Sequence, residues 1–489
     1  MQSEITDSLV KLARTLSSKE QSHFVKHLRQ HKAKRESKLL KLFRLVLRQA
    51  KGELEDYKLA SRSFIPANSL PPLRHLLYQK LLRFLALQFD TSKRAEVSRM
   101  IDEAHLLINR GMIKEALKIA RRAEEQAEQH QLQFLRLELS LLSRRLVRQF
   151  ATQELQHTIA QDRENAEDTL RTIEAEMEWH NRYEKLYLHK RLNQEEALQE
   201  ALSGLPSQQQ QPLPPSLEGQ AYYHLGYRLK ANAERGFERE LSHAQALVRL
   251  FEENDVMLTD QLPRYLRAVN NLITSYFRLG KMAEAYQKIK QMQQLKTKNY
   301  YQSAQLHSLA MSSEILYCFL TEQTQVVRRN AAGYEQLLDE YQSFIPLERY
   351  LEICYNTAVA FLTGKRFDGC LEWLNRCLIQ RDNPAFQERR VGTKVGLNVE
   401  TRAIALRLIV FYELEQERLL RRFIVRAKQY FKGEVPDGLQ ALSGIPSFLQ
   451  LLQRKVENDT VKADAEALAI ALKQRPGFEE FVQWVEQYA

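Results

Sequence analysis

The chain has 489 residues, a formal net charge of +11, and only 16 glycines and 13 prolines. Glycine and proline together reach about half of their usual share in soluble proteins, which favours long helices and argues against a sheet-rich fold. One compact core rarely serves so long a chain, so we expect several domains or an elongated array. The composition therefore predicts an all-α protein.

The first helices are marked by capping residues and by apolar spacing. Ser17 and Glu20 form an S-x-x-E capping box, which predicts a helix starting beside them. Apolar side chains then recur every three or four residues on both sides of a proline-containing connector at residues 66–72. We expect residues 1–94 to form a basic N-terminal helical bundle.

Helix pairs with a shared pattern of small residues follow from about residue 96. The pattern has a small residue where two helices approach, a glycine in the turn and an alanine in the second helix. Three segments carry it: Ala104, Leu107, Gly111, Ala116, Ala120 and Ala123; Leu272, Tyr276, Gly280, Ala285 and Ile289; Ala358, Phe361, Gly364, Phe367, Cys370, Leu374 and Cys377. In these residues the chain resembles the tetratricopeptide-repeat family, with a turn one residue longer expected in the third segment.

The N-terminal part, with LSSKEQSHFVKHL and LLYQKLLRFL, is also similar to uncharacterised tetratricopeptide-like proteins of Bacteroidota bacteria. The resemblance implies an N-terminal helical bundle followed by a divergent tetratricopeptide-like α-solenoid. Gly111 and Gly280 are 169 residues apart, near five repeats of about 34, but Gly280 and Gly364 are 84 apart, so we expect irregular helices. The expected segments after the bundle are hairpins with a long helix at 95–202, a Gln/Pro-rich linker at 203–218, the solenoid at 219–432 and C-terminal capping helices at 433–489.

We expect two further features in the middle of the chain. Residues 152–192 predict one long helix or a pair of helices. Gly204 and the proline after it predict a helix stop in which the glycine takes the left-handed conformation. The apolar side of the long segment is expected to consist of Leu155, Ile159, Ala166, Leu170, Ile173 and Met177.

Motifs of catalysis and of cofactor binding do not occur in the sequence. The P-loop, G-x-G-x-x-G, H-E-x-x-H and G-x-S-x-G patterns are missing, and the four cysteines lack metal-site spacing. His23, His27 and His31 could offer imidazoles to one metal ion, but the lysines and arginines between them favour a solvated polar face. We expect a non-catalytic protein without a cofactor or metal, with its cysteines as buried free thiols.

Positive charge is concentrated near the N-terminus. Residues 11–51 contain thirteen Lys and Arg against two Glu, a net +11 that equals the charge of the whole chain. This segment could bind nucleic acid, an acidic protein or an anionic membrane. It could also be the solvent-exposed side of the helical bundle, and its apolar stripes favour this alternative. The candidate basic face consists of Lys26, Arg29, Lys32, Lys34 and Arg35.

The family resemblance implies that the first helix of each pair lines a groove that holds peptides or partner helices. Arginine and asparagine side chains there could hold the backbone and acidic groups of an extended peptide, with Phe277 as the apolar anchor. The alternative is a solvated groove without a partner. In the second segment the groove residues are Arg267, Asn270, Asn271, Thr274, Phe277 and Arg278.

These patterns favour a protein–protein interaction scaffold or adaptor with a protein or peptide partner. The alternatives are a nucleic-acid-associated protein that uses the basic N-terminal helices and a peptide-sensing regulator. The sequence starts without a basic segment followed by an apolar core, and no apolar stretch is long enough to span a bilayer. We therefore expect a cytoplasmic location and no membrane partner.

Overall fold

The structure is a computed structural model, and every regular element in its described residues is helical, without a strand. This confirms the predicted all-α class. No helix in the described part of the chain has both the length and the apolar composition needed to cross a membrane. The predicted capping helices at 433–489 lie outside the described residues. The structure describes residues 8–29, 38–148, 155–192, 194–206, 212–379 and 394–431.

The chain divides into two compact units, one of residues 5–280 and one that includes residues 281–489. The helices of the first unit are α1 (Ser8–Arg14), α2 (Ser18–Arg29), α3 (Lys38–Ala50), α4 (Tyr57–Ser61), α5 (Leu70–Gln88), α6 (Lys93–Asn109), α7 (Ile113–Gln129), α8 (Gln133–Val147), α9 (Leu155–Leu192), α10 (Glu195–Ser203), α11 (Leu217–Ala233), α12 (Phe237–Glu252), α13 (Asp255–Asp260) and α14 (Leu262–Arg278). The helices of the second are α15 (Met282–Gln293), α16 (Tyr300–Leu320), α17 (Thr324–Tyr341), α18 (Leu347–Thr363), α19 (Phe367–Ile379), α20 (Lys394–Glu413) and α21 (Glu417–Phe431).

The first helices start and pack as the sequence indicates. The backbone N–H of Ser17 donates to Glu20 Oε2 at 2.7 Å, and the N–H of Glu20 donates to Ser17 Oγ at 3.3 Å, so the predicted capping box starts α2. The buried ring of Phe24 lies 4.9 Å from Phe43 of α3 and 5.1 Å from Phe84 of α5. The apolar sides of α2, α3 and α5 therefore share one core.

A three-residue turn with a left-handed middle residue recurs between consecutive helices. A residue in this conformation ends a helix because it turns the backbone away from the next helical hydrogen bond. Only two of the middle residues are glycine, so most of these turns leave no glycine signal in the sequence. They are Gly111, Gln131, Arg235, Gly280, Glu322, Lys365 and Glu415, with φ between 53° and 75°.

The turn at Gly364 differs from its prediction. α18 ends at Thr363 and α19 begins at Phe367, so this turn also has three residues and the expected longer turn is wrong. Lys365 takes the left-handed position with a φ of 55°, while Gly364 before it has a φ of −91°. Gly364 lies one residue before the left-handed position. The longer turn was expected because glycine usually occupies that position.

The spacing of the turns shows how long each helix pair is. Arg235, Gly280, Glu322 and Lys365 follow one another at intervals of 45, 42 and 43 residues. The tetratricopeptide repeat has about 34 residues, so these pairs are longer. Two of them fit between Gly280 and Gly364, which explains why the 84 residues separating those glycines match no multiple of 34.

Small side chains bring α6 and α7 together, as the sequence pattern indicates. Ala104 of α6 and Ala116, Ala120 and Ala123 of α7 are all fully buried. Gly111 has a φ of 75° in the turn between the two helices. An alanine contributes only a Cβ atom beyond the backbone, so this pair can pack closely along its whole length.

α9 is one continuous helix of 38 residues, which decides between the one long helix and the pair that the sequence left open. Of the expected apolar side, Ala166 and Ile173 are buried, whereas Leu170 and Met177 are exposed. α9 packs against α8, α10 and α11. The predicted Leu155 and Ile159 belong to α9, and their side chains lie outside the described residues.

The linker after α10 ends that helix without a left-handed glycine. Gly204 has a φ of −72°, so its predicted left-handed conformation is wrong. Leu205 is buried, and the carbonyl of Pro206 accepts a hydrogen bond of 2.7 Å from the hydroxyl of Tyr227. Pro206 prevents the helix from continuing, and the buried Leu205 and the hydrogen-bonded carbonyl of Pro206 fix the chain that follows α10. Residues 207–211 lie outside the described residues.

The four cysteines are free and buried in the unit that includes residues 281–489, which confirms the prediction. Burial raises the pKa of the Cys370 thiol to about 12. A buried thiol with so high a pKa stays neutral and behaves as a small apolar side chain.

Candidate partner-binding face

α14 carries the six residues predicted to line a groove. Leu266, Val269 and Ile273 are buried, so one side of the helix faces the core. The predicted residues occupy other positions of the same helix, as their spacing requires. Arg267 and Arg278 are exposed, and Asn270, Asn271, Thr274 and Phe277 are half-buried.

Arg267 and Thr274 make hydrogen bonds within α14. Arg267 Nε donates to the carbonyl of Pro263 at 3.3 Å, and Thr274 Oγ1 donates to the carbonyl of Asn270 at 2.9 Å. Within the described ranges no carboxylate forms an ion pair with Arg267. Its guanidinium therefore keeps donors that an incoming acidic group can use.

Arg278 belongs to a buried ion-pair cluster on Glu240 of α12. Glu240 is only 1% exposed, and its carboxylate lies 2.6 Å from Arg278 Nη1 and 3.2 Å from Arg228 Nη1. Asn232 Nδ2 donates to the same carboxylate at 3.0 Å. Burial lowers the pKa of Arg228, and the Glu240 charge opposes that shift. Arg278 thus has a structural role that its sequence position did not reveal.

α9 and α11 run parallel, and this arrangement adds aromatic side chains beside α14. Ser216 Oγ at the start of α11 donates to Glu176 Oε2 in the middle of α9 at 3.0 Å, and near the ends of both helices Lys190 Nζ donates to Asn232 Oδ1 at 3.4 Å. Because α10 and the linker at residues 203–218 lie between them in sequence, the chain can return to the middle of α9 before α11 begins. Side chains of both helices therefore share one surface.

Three tyrosines lie together on this surface. The ring of Tyr183 is 5.9 Å from those of Tyr187 and Tyr222, and the Arg264 guanidinium lies 5.4 Å from the Tyr222 ring. Burial raises the pKa of Tyr183, while the nearby charges of Arg228 and Arg267 oppose that shift. The charge of Arg267 thus acts on Tyr183, although the side chain of Arg267 bonds within α14.

Lys190 adds a second cation without a carboxylate of its own. Burial lowers its pKa, and the neighbouring Arg228 and Arg278 lower it further, while Glu240 opposes the shift. Its ammonium group is thus held among other cations, where an anionic ligand would be stabilised. Lys190 and Arg267 are both exposed, and neither forms an ion pair with a carboxylate in the described residues.

We call this surface the tyrosine–arginine face. Aromatic rings and guanidinium groups are the side chains most often found at the energetic centres of protein interfaces. Only Arg267 and Arg278 of its members were predicted from the sequence. The i, i+4 spacing of Tyr183 and Tyr187 indicates that these two rings lie on one side of α9. Their neighbours on α11 and α14 are distant in sequence, so no local pattern predicts them. The face consists of Tyr183, Tyr187, Lys190, Tyr222, Arg228, Arg264, Arg267 and Arg278.

The predicted basic N-terminal face is described in part. Lys26 and Arg29 of α2 are exposed, and Lys32, Lys34 and Arg35 lie outside the described residues. The ring of His23 lies 5.8 Å from Phe89, and that of His27 lies 5.2 Å from Phe84, while His31 is outside the described ranges. These two imidazoles thus have aromatic neighbours.

No model of a known protein family matches the chain. No curated protein sequence matches it either. The assignment of a role to the tyrosine–arginine face therefore depends on the chemistry of its own side chains.

Proposed function

We propose that the protein is a non-catalytic scaffold or adaptor that binds an acidic segment of a partner protein on the tyrosine–arginine face. The observation that carries this proposal is the cluster of Tyr183, Tyr187 and Tyr222, with Lys190 on the same helix and the charge of Arg267 acting on Tyr183; neither cation forms an ion pair with a carboxylate in the described residues. A guanidinium binds a carboxylate through two parallel hydrogen bonds, and a tyrosine ring offers apolar area at low entropic cost.

The architecture that we propose for this role is an N-terminal helical bundle followed by a divergent tetratricopeptide-like α-solenoid. The recurring three-residue turns and the 42 to 45 residue spacing between successive helix pairs support it. A solenoid presents side chains from successive helix pairs as one extended surface, which suits a long ligand. We propose a cytoplasmic location for this scaffold.

Binding on this face has a defined physical character. The partner's acidic groups would be attracted before contact, so association should slow as salt screens the charges. Apolar and aromatic contacts with Tyr183 and Tyr187 would then hold the complex. Arg228 and Arg278 would act mainly through the Glu240 cluster, because their guanidinium groups are already paired.

The test compares capture of partners by the tagged protein and by two double variants. Arg267→Glu with Tyr187→Ala removes an uncompensated cation and an exposed ring from the face. Arg171→Glu with Tyr301→Ala makes the same chemical changes at two exposed positions elsewhere. Arg278 is left intact because a carboxylate there would be repelled by the buried Glu240.

We expect mass spectrometry to identify a stoichiometric protein that survives nuclease treatment. The wild type and the control variant should retain it, whereas the Arg267→Glu and Tyr187→Ala variant should lose it, with unchanged circular dichroism. Equal capture by all three proteins would rule out this face. Partners that vanish with nuclease would instead favour a nucleic-acid-associated function of the basic N-terminal helices.

A further inference from the structure

A cavity of about 430 Å³ lies in the unit of residues 5–280, among the first residues of α6, α8, α11 and α14. Cavities of 300 to 1,000 Å³ are typical of small-molecule sites. Phe134 and Tyr222 supply aromatic lining, and Leu217, Val256 and Met257 add apolar surface. The cavity is thus large enough for a small organic molecule or one long side chain.

Contacts between distant parts of the chain hold the cavity in shape. The backbone N–H of Lys93 donates to Asp260 Oδ2 at 2.9 Å, across 167 residues of sequence. The N–H of Leu217 donates to Gln131 Oε1 at 3.0 Å, across 86 residues. These bonds satisfy free amide groups at the starts of α6 and α11, so the walls are fixed by the tertiary fold.

The charge of the cavity is acidic although helix N-termini surround it. Helix N-termini attract anions, but here the protein's own carboxylates already meet the amide groups and cations. Asp260 accepts from the start of α6, and Glu218 in the first turn of α11 lies 2.7 Å from Arg264 Nη1. With Glu176, three carboxylates line the cavity against the guanidinium groups of Arg94 and Arg264.

Glu176 is the carboxylate that lacks a cation. It accepts one hydrogen bond, of 3.0 Å, from Ser216 Oγ, and within the described ranges no lysine or arginine forms an ion pair with it. Burial raises the pKa of Glu176 and the charge of Glu218 raises it further, while the hydrogen bond from Ser216 and the nearby charges of His180 and Arg264 oppose the shift. A bound cation would relieve this electrostatic cost.

Gln133 supplies a second, independent sign that a hydrogen-bond donor belongs here. This residue begins α8, lines the cavity and is only 8% exposed, yet its Oε1 atom has no hydrogen-bond partner. A buried acceptor without a donor destabilises the folded chain, because the acceptor has lost its hydrogen bonds to water. Gln133 and Glu176 therefore both accept hydrogen bonds, and a ligand that donates them fits both.

We propose that this cavity binds an organic cation, a primary ammonium or guanidinium group whose hydrocarbon part lies against Phe134 and Tyr222. The cationic head would donate to Glu176 and Gln133, and the aromatic rings would cover the chain that carries it. Such a group occurs on free amines and on lysine or arginine side chains of a peptide. The cavity shares Tyr222 and Arg264 with the tyrosine–arginine face, but Glu176 and Gln133 are not part of that face, so substitutions at Glu176 test this proposal separately from the proposed function.

The test is calorimetric titration of the full-length protein with cadaverine, agmatine and the peptide acetyl-Gly-Lys-Gly-amide. Glu176→Gln keeps the size of the side chain and can still bond Ser216, but it removes the charge. Glu174→Gln makes the same change at an exposed position of α9. We expect Glu176→Gln to weaken binding at least tenfold and Glu174→Gln to change it less than twofold. Thermal unfolding of each variant checks that it is folded.

The outcomes separate the ligand sources and can overturn the proposal. Tighter binding of the free amines would identify a small-molecule site, and tighter binding of the peptide would identify a pocket for a partner's side chain. Binding should also weaken as the pH falls and Glu176 is protonated. Absence of binding by all three probes, or equal binding by the Glu176→Gln variant, would show that the cavity is no cation site.

Discussion

Glu240 shows how a single buried charge depends on its partners. Its carboxylate is almost completely buried, and Arg228, Arg278 and Asn232 all donate to it. An ion pair in a protein interior gains little over apolar packing, but removing one member leaves the other charge buried and uncompensated. The cluster therefore makes the packing of α11, α12 and α14 sensitive to a one-atom change.

We predict that Glu240→Gln lowers the free energy of unfolding of the unit of residues 5–280 by about 3 kcal/mol. The amide cannot neutralise Arg228, whose guanidinium would remain largely buried beside a neutral group. Denaturant unfolding followed by fluorescence measures the effect.

Trp179 reports on this unit alone when Trp373 and Trp484 are replaced by phenylalanine. The matched control is Glu238→Gln, an exposed position in the same turn of α12, which should change the free energy of unfolding by less than about 0.5 kcal/mol. Equal effects of the two substitutions would show that the cluster contributes no specific stability.

His224 and His243 form a second buried polar contact, with 3.1 Å between their Nδ1 atoms. One imidazole must donate the hydrogen bond and the other accept it, so at least one Nδ1 is unprotonated. Burial lowers the pKa of both imidazoles to about 4; the neighbouring His243 adds to the shift of His224, and Arg239 adds to that of His243.

We predict that this pair makes the folded chain less stable as the pH falls from 6.5 to 4. In that range the unfolded imidazoles bind protons and the folded ones do not, so each contributes a loss of at most about 1.4 kcal/mol per pH unit. The double variant His224→Asn, His243→Asn should show a smaller pH slope of unfolding than the wild type. His105→Asn, at an exposed position, should keep the wild-type slope; a double variant with an unchanged slope would contradict the prediction.

At the scale of elements, the left-handed middle residue organises the helix pairs. Gly111 and Gly280 adopt this conformation without strain, and the other turns place a residue with a Cβ atom in the same region. An L-residue in the left-handed region costs about 1–2 kcal/mol relative to its preferred conformations. The turns therefore differ in stability although their backbone is the same.

We predict opposite effects of two substitutions at equivalent turn positions. Gly111→Ala should lower the free energy of unfolding by about 1 kcal/mol, because no atom lies near the added Cβ and only the φ of 75° is unfavourable. Arg235→Gly should raise it by up to about 1 kcal/mol, because glycine accepts the φ of 56°. Trp179 fluorescence during denaturant unfolding measures both; effects of the same sign would contradict the turn conformation.

At the scale of the whole molecule, the charge of +11 can attract many anionic partners. Two cationic surfaces are candidates, the N-terminal one with Lys26 and Arg29 and the tyrosine–arginine face. We predict that Lys26→Glu with Arg29→Glu leaves capture of the protein partner unchanged, because the specific contacts lie on α9, α11 and α14. Quantitative mass spectrometry measures the amount of captured partner. Loss of the partner would show that the N-terminal helices bind it.

Local chemistry in the sequence was enough to predict the all-α class and several details of its helices. The capping box at Ser17, the fully buried alanines that follow Gly111, and the buried cysteines were all predicted correctly. Each of these features depends on residues within one or two helical turns or one hairpin. Periodicity and capping report such short-range structure because they act between residues three or four apart.

Only the tertiary structure decided which helices meet. Leu170 and Met177 belong to the expected apolar side of α9, yet both are exposed in the packing of α9 against α8, α10 and α11. The sequence also placed Arg278 in an open groove, whereas the fold pairs it with Glu240, 38 residues away. Helix periodicity shows that a face is apolar or charged, but the partner of that face is set by packing between distant segments, and the tyrosine–arginine face exists only because α9 and α11 run parallel.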